Sequence, residues 1–279
     1  MKISNKFVAV TLAVTAICAV ASSSYGSLLF SESFNYTPTT GLGANTNPGS
    51  GLQWNGANSG LTIGSSALSY PGLATMPGND LIIQNSSSGT SVNYFTPQSG
   101  DQVFMSYLVQ VNTIDGANDY FIALNNSQNS GAPSGGPDVI DTYSYKNGNF
   151  EMRANADAAT GGASPVTAGL NITYFIVEEV DLANKDAYLW VDPSSLTFSA
   201  PGGNDTAPTA IAQLTGLTAG ETVSDVGFKA QSTTGAFTVG NLLVGTTWAD
   251  VTPTVPEPST FVLCGLGMLG FALARRMRR

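Results

Sequence analysis

Residues 171–195 read NITYFIVEEVDLANKDAYLWVDPSS, and this stretch decides the fold. Residues 172–182 are rich in β-branched and aromatic side chains, which predicts one long strand. The segment Ala183-Asn184-Lys185 is the predicted turn, and Ala187 to Val191 is the returning strand. Pro193 ends that strand because proline cannot donate to a sheet ladder. The stretch therefore predicts a β-hairpin.

A second hairpin is predicted at residues 140–154, IDTYSYKNGNFEMRA. Asn147-Gly148 supplies the two positive-φ positions of a type I′ turn. The turn predicts that Tyr145 lies opposite Phe150 and Tyr143 opposite Met152, on the core face. Those aromatics could alternatively form a platform on which sugar rings stack. The other face is predicted to meet water, with Thr142, Ser144, Glu151 and Arg153.

Further strands are predicted at residues 101–111, 119–126, 222–230 and 237–251, with shorter ones around Leu61, Leu68, Ile82 and Val92. No stretch of the body has sustained helical periodicity with caps. The total of about twelve to fourteen strands exceeds a seven-stranded immunoglobulin-like sandwich and favours a jelly roll. The fold class is therefore all-β, with one sandwich domain over residues 22–252.

Charge is scarce and unevenly distributed. Charged residues make up 10% of the chain, against about 25% in an average soluble domain. Six of the ten basic residues lie at the two ends, which leaves Lys146, Arg153, Lys185 and Lys229 in an acidic body. Such a body repels phosphate backbones, so nucleic acid is not an expected partner. Divalent cations and neutral polymers are compatible with it.

Histidine is absent from the sequence. Its absence excludes Ser-His-Asp and Cys-His catalysis and removes the commonest zinc ligand. The two cysteines, Cys18 and Cys264, lie in the apolar runs at the ends, so no disulfide is expected within the body.

The N-terminus is typical of a secretory signal peptide over residues 1–21. Lys2 and Lys6 precede an apolar run, and Ala19-Val20-Ala21 is a small-residue cleavage site. Cleavage as late as Gly26 is the alternative. Cys18 raises the further alternative of a lipoprotein anchor, although its neighbours do not suit that pattern.

The C-terminus combines a Pro-rich linker over residues 253–258 with a predicted transmembrane helix and basic end over residues 259–279. The apolar run 261–274 is shorter than the about 20 residues of a comfortable span. A basic end of this kind would be retained on the cytoplasmic side, and it consists of Arg275, Arg276, Arg278 and Arg279. A plain single-pass anchor is the alternative to a sorting signal.

This tail resembles the PEP-CTERM sorting signal of bacterial envelope proteins. The resemblance rests on the motif Val255-Pro256-Glu257-Pro258-Ser259, followed in order by an apolar helix and a basic end. It implies an exosortase-type membrane protease as a partner. It also implies export to the cell envelope, surface or extracellular matrix, with at least transient membrane anchoring.

The body resembles concanavalin A-like, laminin-G-like domains. The segments that carry the resemblance are LLFSESFNYTPTTGLG, GLQWNGANSG, SALSYPGL, the hairpin YFIVEEVDLANKDAYLWVDP and the closing LLVGTTWADV. The resemblance implies two curved antiparallel sheets with a concave face. Lectins, calcium-dependent adhesion modules and glycosidases share this fold, so the fold alone selects no function.

One pattern bears on enzyme activity. Retaining glucanases of this fold carry Glu, any residue, Asp, any two residues and Glu, with the two catalytic carboxyl groups about 5–5.5 Å apart. Glu179 and Asp181 match the first two positions, but Asn184 stands where the acid belongs and is predicted to lie in the turn. An amide cannot protonate a leaving group, so we predict that the protein is not an enzyme.

Calcium is the one cofactor that the sequence suggests. Asp115, Asn118 and Asp119 lie on a Gly-containing loop ahead of a predicted strand, and Asp138 and Asp141 follow in sequence. Calcium prefers such oxygen ligands on loops, although turn chemistry alone also places Asp and Asn there. The first loop is the favoured site.

The predicted function is that of a non-enzymatic surface or matrix component that binds polysaccharide. Low charge and many hydroxyl and amide side chains suit contact with a neutral glycan. They equally suit a passive structural domain, which stays open as the alternative. The three tryptophans are predicted to pack in the core rather than to stack on sugars; they are Trp54, Trp190 and Trp248.

Overall fold

The chain folds into two antiparallel β-sheets that pack face to face in the computed structural model. The structure describes residues 26–57, 59–84, 89–100, 102–114, 119–126, 138–144, 149–153, 162–194, 196, 210–217, 222–230 and 235–254. The predicted signal peptide and the predicted C-terminal helix lie outside these residues. The all-β sandwich that the strand pattern and the second resemblance implied is confirmed.

The first sheet has eight strands. They are β1 (Leu28–Glu32), β3 (Leu61–Ile63), β4 (Leu81–Ile83), β6 (Gln102–Thr113), β11 (Thr173–Asp181), β12 (Asp186–Val191), β13 (Ala212–Thr215) and β15 (Ala236–Gly245). Their order across the sheet is β13-β12-β11-β6-β15-β4-β3, and β1 pairs with β15.

The second sheet has seven strands. They are β2 (Asn55–Ala57), β5 (Gly89–Ser99), β7 (Asp119–Asn125), β8 (Asp138–Ser144), β9 (Asn149–Arg153), β10 (Gly162–Thr167) and β14 (Thr222–Ala230). Their order is β10-β9-β8-β7-β14-β5-β2, so β14 fits between two strands far from it in sequence.

The hairpin of residues 171–195 forms as predicted. Strands β11 and β12 pair from Ile176 with Val191 to Asp181 with Asp186, around a turn at residues 182–185. Strands also form at the other predicted segments, with two exceptions: Leu68 lies outside any strand, and the strand predicted over residues 237–251 ends at Gly245. The described residues include two short helical elements that the sequence did not predict, a 3₁₀ turn at Leu42–Ala44 and the helix α1 (Trp248–Val251).

The main core lies between the sheets and is closed by aromatic contacts across them. Phe121 of the seven-stranded sheet stacks on Phe237 of the eight-stranded sheet, with ring centroids 4.7 Å apart. Trp54 packs against Phe228 at 5.5 Å. Burial of such large rings is the main stabilising contribution in the described part of the chain, which contains no cysteine.

A second apolar cluster covers the outer face of the eight-stranded sheet. Trp190 meets Trp248 of α1 edge to face, with centroids 5.1 Å apart, and Phe104 also packs on Trp248. Leu73 and Val251 complete the cover from two separate segments. All three tryptophans are 5% exposed or less, which confirms that they pack rather than present free rings to solvent.

Glu32 shows how a buried carboxylate is satisfied in this fold. Its side chain accepts hydrogen bonds from the amide of Phe34, the hydroxyl of Tyr36, Nδ2 of Asn47 and Nε1 of Trp54, at 2.5–2.9 Å. Burial, and next the nearby Glu32 charge, raise the pKa of the Tyr36 hydroxyl above its ordinary range. Four donors around one acid tie β1 to the following loops.

The predicted register of the second hairpin is wrong by one residue. Strand β8 pairs with β9 so that Tyr143 lies opposite Glu151 and Ser144 opposite Phe150. A one-residue shift transfers every position to the other face of a sheet. Phe150 and Met152 still enter the core, whereas Tyr143 pairs with Glu151 instead of Met152. The turn residues 145–148 lie outside the described residues.

Candidate functional site

The candidate site lies on the outer face of the seven-stranded sheet, which is the face directed away from the eight-stranded sheet. Alternation along the strands identifies it, because Leu124 and Val226 belong to the core between the sheets. Their neighbours Asn125 and Asp225 therefore point outwards. The two residues face each other across β7 and β14.

A line of polar positions crosses three neighbouring strands on this face. Tyr94 of β5 pairs with Asp225 of β14, which pairs with Asn125 of β7. Directly opposite residues in antiparallel strands lie on the same face, about 4.5–5.5 Å apart. We call these three residues the polar row.

The centre of the polar row is buried. Asp225 has no exposed surface, and its Oδ2 accepts a hydrogen bond of 2.9 Å from the Ser224 hydroxyl. Asn125 is 1% exposed, yet neither Nδ2 nor Oδ1 has a hydrogen-bond partner. A buried amide that lacks partners costs about 1–3 kcal/mol of stability. Such groups are rare in folded proteins, so Asn125 needs an explanation.

The next row on the same face contains a glycine. Gly227 of β14 lies between Val92 of β5 and Ala123 of β7, and the pairing continues through Asp141 of β8 to Arg153 of β9. A glycine inside a strand often marks a place where another group approaches the backbone closely. Val92 and Ala123 have no exposed surface, so this part of the face is covered.

An ion pair lies further along this face, on β9. Arg153 Nε approaches Glu151 Oε1 at 3.1 Å, and Nη2 approaches Oε2 at 3.4 Å. Both side chains are buried, at 6% and 4% exposure. The prediction that Glu151 and Arg153 meet water is thus wrong, because they satisfy each other beneath a covered surface. The guanidinium also balances the carboxylate charge.

The structure describes only part of the predicted calcium site. Asp115 and Asn118 lie outside the described residues, and Asp119 is the first residue of β7, paired with Ser144. Asp138 pairs at the other end of β7, six residues away, which corresponds to about 20 Å along a strand. Among the described residues no three acidic, histidine or cysteine side chains form a metal-binding group. Calcium stays a prediction, which calorimetric titration would check.

The Glu179–Asp181 pair lies on the outer face of the other sheet, beside Phe175 and Val177 of the outer apolar cluster. Asn184 lies in the turn, as predicted, and donates to Asp181 through its backbone amide at 2.9 Å and its Nδ2 at 2.8 Å. The residue in the acid's position thus holds the turn together. It contributes no acidic group.

The two carboxyl groups of this pair titrate differently. Burial, followed by the charge of Asp181, raises the pKa of Glu179 to about 7. Burial acts in the same direction on Asp181, but the hydrogen bonds from Asn184 and Gln102 outweigh it and lower the pKa of Asp181. Neighbouring carboxylates commonly separate their pKa values in this way.

The residues of the two terminal signals lie outside the described residues. They are the signal peptide at 1–21, the motif residues Val255, Pro256, Glu257, Pro258 and Ser259, and the basic residues Arg275, Arg276, Arg278 and Arg279. Within the part of the chain that the structure describes, no helix has the length and apolar character needed to cross a membrane.

The family comparison identifies the tail. Residues 254–279 match the PEP-CTERM protein-sorting motif. The match confirms the first resemblance and indicates an exported protein that undergoes membrane-associated sorting. It covers the tail alone and leaves the activity of the body open. No curated protein sequence matches the chain.

Solved structures similar to the body are distant. One is a sialidase, at 10% identity and a TM-score of 0.43, over 67% of this chain and 17% of the sialidase. Another is the T. cruzi calreticulin globular domain, at 9% identity and a TM-score of 0.44, over 79% of this chain and 88% of that domain. A third is the exoplasmic/lumenal domain of VIP36 in its Ca2+/Man2-bound form, at 8% identity and a TM-score of 0.44, over 78% of this chain and 96% of that domain. This chain therefore spans less than a fifth of the sialidase.

Proposed function

We propose that this exported protein is a surface or extracellular-matrix component that binds a neutral polysaccharide through the polar row. The binding is non-enzymatic. The single observation that carries the proposal is Asn125, whose buried amide has no partner beside the buried carboxylate of Asp225. A ligand hydroxyl would supply the missing hydrogen bonds once the surface that covers this buried amide opens to admit it.

The chemistry of the row suits sugar hydroxyls. Each hydroxyl both donates and accepts, so it can donate to Asp225 or to Oδ1 of Asn125 and accept from Nδ2. Tyr94, half-buried at the end of the row, offers a ring that can pack on a pyranose face.

Charge favours a neutral glycan over an anionic one. The protein carries a net charge of −9, and the polar row contains Asp225. This charge would repel an acidic polysaccharide, and added salt would weaken the repulsion.

A glycan array with the purified protein tests the proposal. We expect saturable binding to neutral glycans and its loss in Asn125→Leu, which keeps the side-chain size and removes the amide. Glu179→Gln is the matched control, because it alters a buried polar group on the opposite outer face. Equal loss in both variants, or unchanged binding in Asn125→Leu, would contradict the assignment of the site.

The absence of catalysis is part of the same proposal. Its support is that Asn184 is committed to Asp181 by two hydrogen bonds and brings no acid to that pair. We expect the protein to release no reducing sugar from β-glucans. Release that Glu179→Gln abolishes would instead establish a glycosidase.

The alternative is a passive structural domain, in which the polar row binds nothing. It predicts a blank array together with normal export and sorting. The two functions share the tail, so secretion assays do not separate them, whereas the array does.

We further propose that an exosortase-type protease processes the tail. The match of residues 254–279 to the sorting motif supports this proposal. Mass spectrometry of the mature protein from its host should show a C-terminus near Pro256-Glu257-Pro258. An intact Arg279 in the envelope fraction would instead indicate a permanent anchor.

A further inference from the structure

The end of the body is fastened to the outer face of the eight-stranded sheet. We call residues 246–254 the closing segment. Its Val251 carbonyl accepts a bond of 2.5 Å from the Ser106 hydroxyl, and its Thr252 hydroxyl donates to the Leu196 carbonyl at 2.8 Å. Trp248 within it is 1% exposed. The segment is therefore part of the folded body.

The fastening continues to the last described residue. The amide of Ala74 donates to the carbonyl of Pro253 at 2.7 Å, and Leu73 and Thr254 form an antiparallel bridge. The sorting motif starts at the next position, Val255. The body thus has no free linker ahead of the motif.

Chain length then limits how the body can turn on a membrane. Six residues lie between Thr254 and Phe261, where the apolar run begins, and the seven Cα-to-Cα steps between the two reach at most about 24 Å. A folded domain of this size is about 45 Å across. A tether shorter than the domain, attached on one face, keeps that face towards the membrane.

The segment beside the attachment point contains no charged residue. Residues 65–79 have no acidic or basic side chain, although the protein carries a net charge of −9. Tyr70 and Met76 are half-buried there, next to exposed Pro71. An acidic surface would be repelled by anionic lipid, whereas this surface would not.

Two acidic groups near this surface are hydrogen-bonded within the protein. Asp192, which is exposed, accepts from the amide of Phe175 at 2.8 Å. Asp250 accepts from the amide and hydroxyl of Thr247, which completes the N-terminal cap of α1. Both carboxylates are oriented by the fold.

We infer that residues 65–79 and the closing segment form a lipid-facing surface, on which the body rests while its tail is in the membrane. The outer face of the seven-stranded sheet, with the polar row, then points away from the lipid. The inference rests on the proposed envelope function, and it adds a partner, the headgroup surface, and an orientation.

Site-specific fluorescence tests this orientation on the full chain. Because the only cysteines are Cys18 and Cys264, a background with both changed to serine allows single labels. Thr75→Cys places a dye on the lipid-facing surface. Asn55→Cys places it on the other outer face, where Asn55 is exposed opposite Val92. The protein is reconstituted in phosphatidylethanolamine–phosphatidylglycerol vesicles that contain a headgroup-attached quencher.

We expect severalfold stronger quenching at position 75 than at position 55. A flexible Gly-Ser insertion after Thr254 should abolish the difference, because the tether then allows rotation. Equal quenching at both positions without the insertion would overturn the inference and leave this surface for a protein partner such as the sorting protease. A chain that fails to join the vesicles would overturn both the inference and the membrane premise, whereas glycan-array binding reports separately on the polar row.

Discussion

The two outer faces of the sandwich differ in what covers them. On the eight-stranded sheet an apolar cluster, including Trp190 and Trp248, seals the surface and fastens the closing segment. On the seven-stranded sheet the corresponding surface carries Asp225, Asn125 and the Glu151–Arg153 pair. The first face gains stability from burial, whereas the second accepts the cost of burying polar groups. Such a cost is common where a protein binds something.

The largest expected effect comes from opening the apolar face. Trp248→Ala should lower the free energy of unfolding by about 4 kcal/mol, because it removes contacts with Trp190 and Phe104 and leaves a cavity. Urea denaturation measures this loss. Trp248→Phe is the control and should cost less, since it keeps a ring and loses the bond to the Leu196 carbonyl. A loss below about 1 kcal/mol for Trp248→Ala would mean that packing does not hold the closing segment.

The second-largest expected effect is a pH dependence of the free energy of unfolding, which arises from carboxyl groups of the eight-stranded sheet. The pKa of Glu179 is raised to about 7 in the folded state, so its contribution to stability is fully present below its unfolded pKa. That contribution is lost as the pH rises through 7. Asp80, whose burial raises its pKa to about 6, acts in the same direction. The unfolding free energy should therefore fall between pH 5 and pH 8, by on the order of 2–3 kcal/mol from Glu179.

The variant Glu179→Gln isolates this contribution. In this variant the free energy of unfolding should vary little with pH around pH 7. The smaller change that Asp80 causes near pH 6 should remain. An unchanged profile in Glu179→Gln would show that this carboxyl group is solvated in the folded protein.

A smaller effect is expected at the end of the same sheet. Asn184→Ala removes the 2.8 Å bond from Nδ2 to Asp181 and should cost about 1 kcal/mol. A double-mutant cycle with Asp181→Asn should show strong non-additivity, because both changes act on one interaction. Additive losses would mean that the turn does not depend on this pair.

The smallest expected change in stability lies on the polar face and has the opposite sign. Asn125→Leu removes a buried amide that has no partners, so the free energy of unfolding should stay constant or rise by up to about 1 kcal/mol. Asn47→Leu is the matched control. Asn47 is equally buried, but it donates to Ser31 and Glu32 and accepts from Ser50, so its loss should destabilise. Similar losses in the two variants would show that Asn125 is satisfied.

Local patterns were sufficient for the strands but not for the site. Strand β14 and the β11–β12 hairpin were predicted because apolar and aromatic residues concentrate in runs between turn residues. The register of β8 and β9 was not predicted correctly, since the structure pairs Tyr143 with Glu151 instead of Met152. A turn motif suggests a register, but pairing with β7 and core packing also constrain it.

The polar row could not be found from sequence because its members are far apart along the chain. Asn125 and Asp225 become neighbours only when β14 inserts between β5 and β7. Neither residue lies in a motif, and the acidic pattern that did stand out, Glu179-x-Asp181, belongs to the opposite sheet. The one available signal was an asparagine and an aspartate at outward positions of otherwise apolar strands.

Two properties were determined by the sequence alone: the chain forms β-strands, and its tail carries a sorting signal. Both depend on which residue types follow one another, and local conformational preference and hydrophobicity are properties of short segments. The tertiary structure decided which polar groups meet, which of them lack partners, and on which face the tail is attached. Those features depend on strand order and on alternation across a two-layer sandwich, which bring together residues that no local preference links.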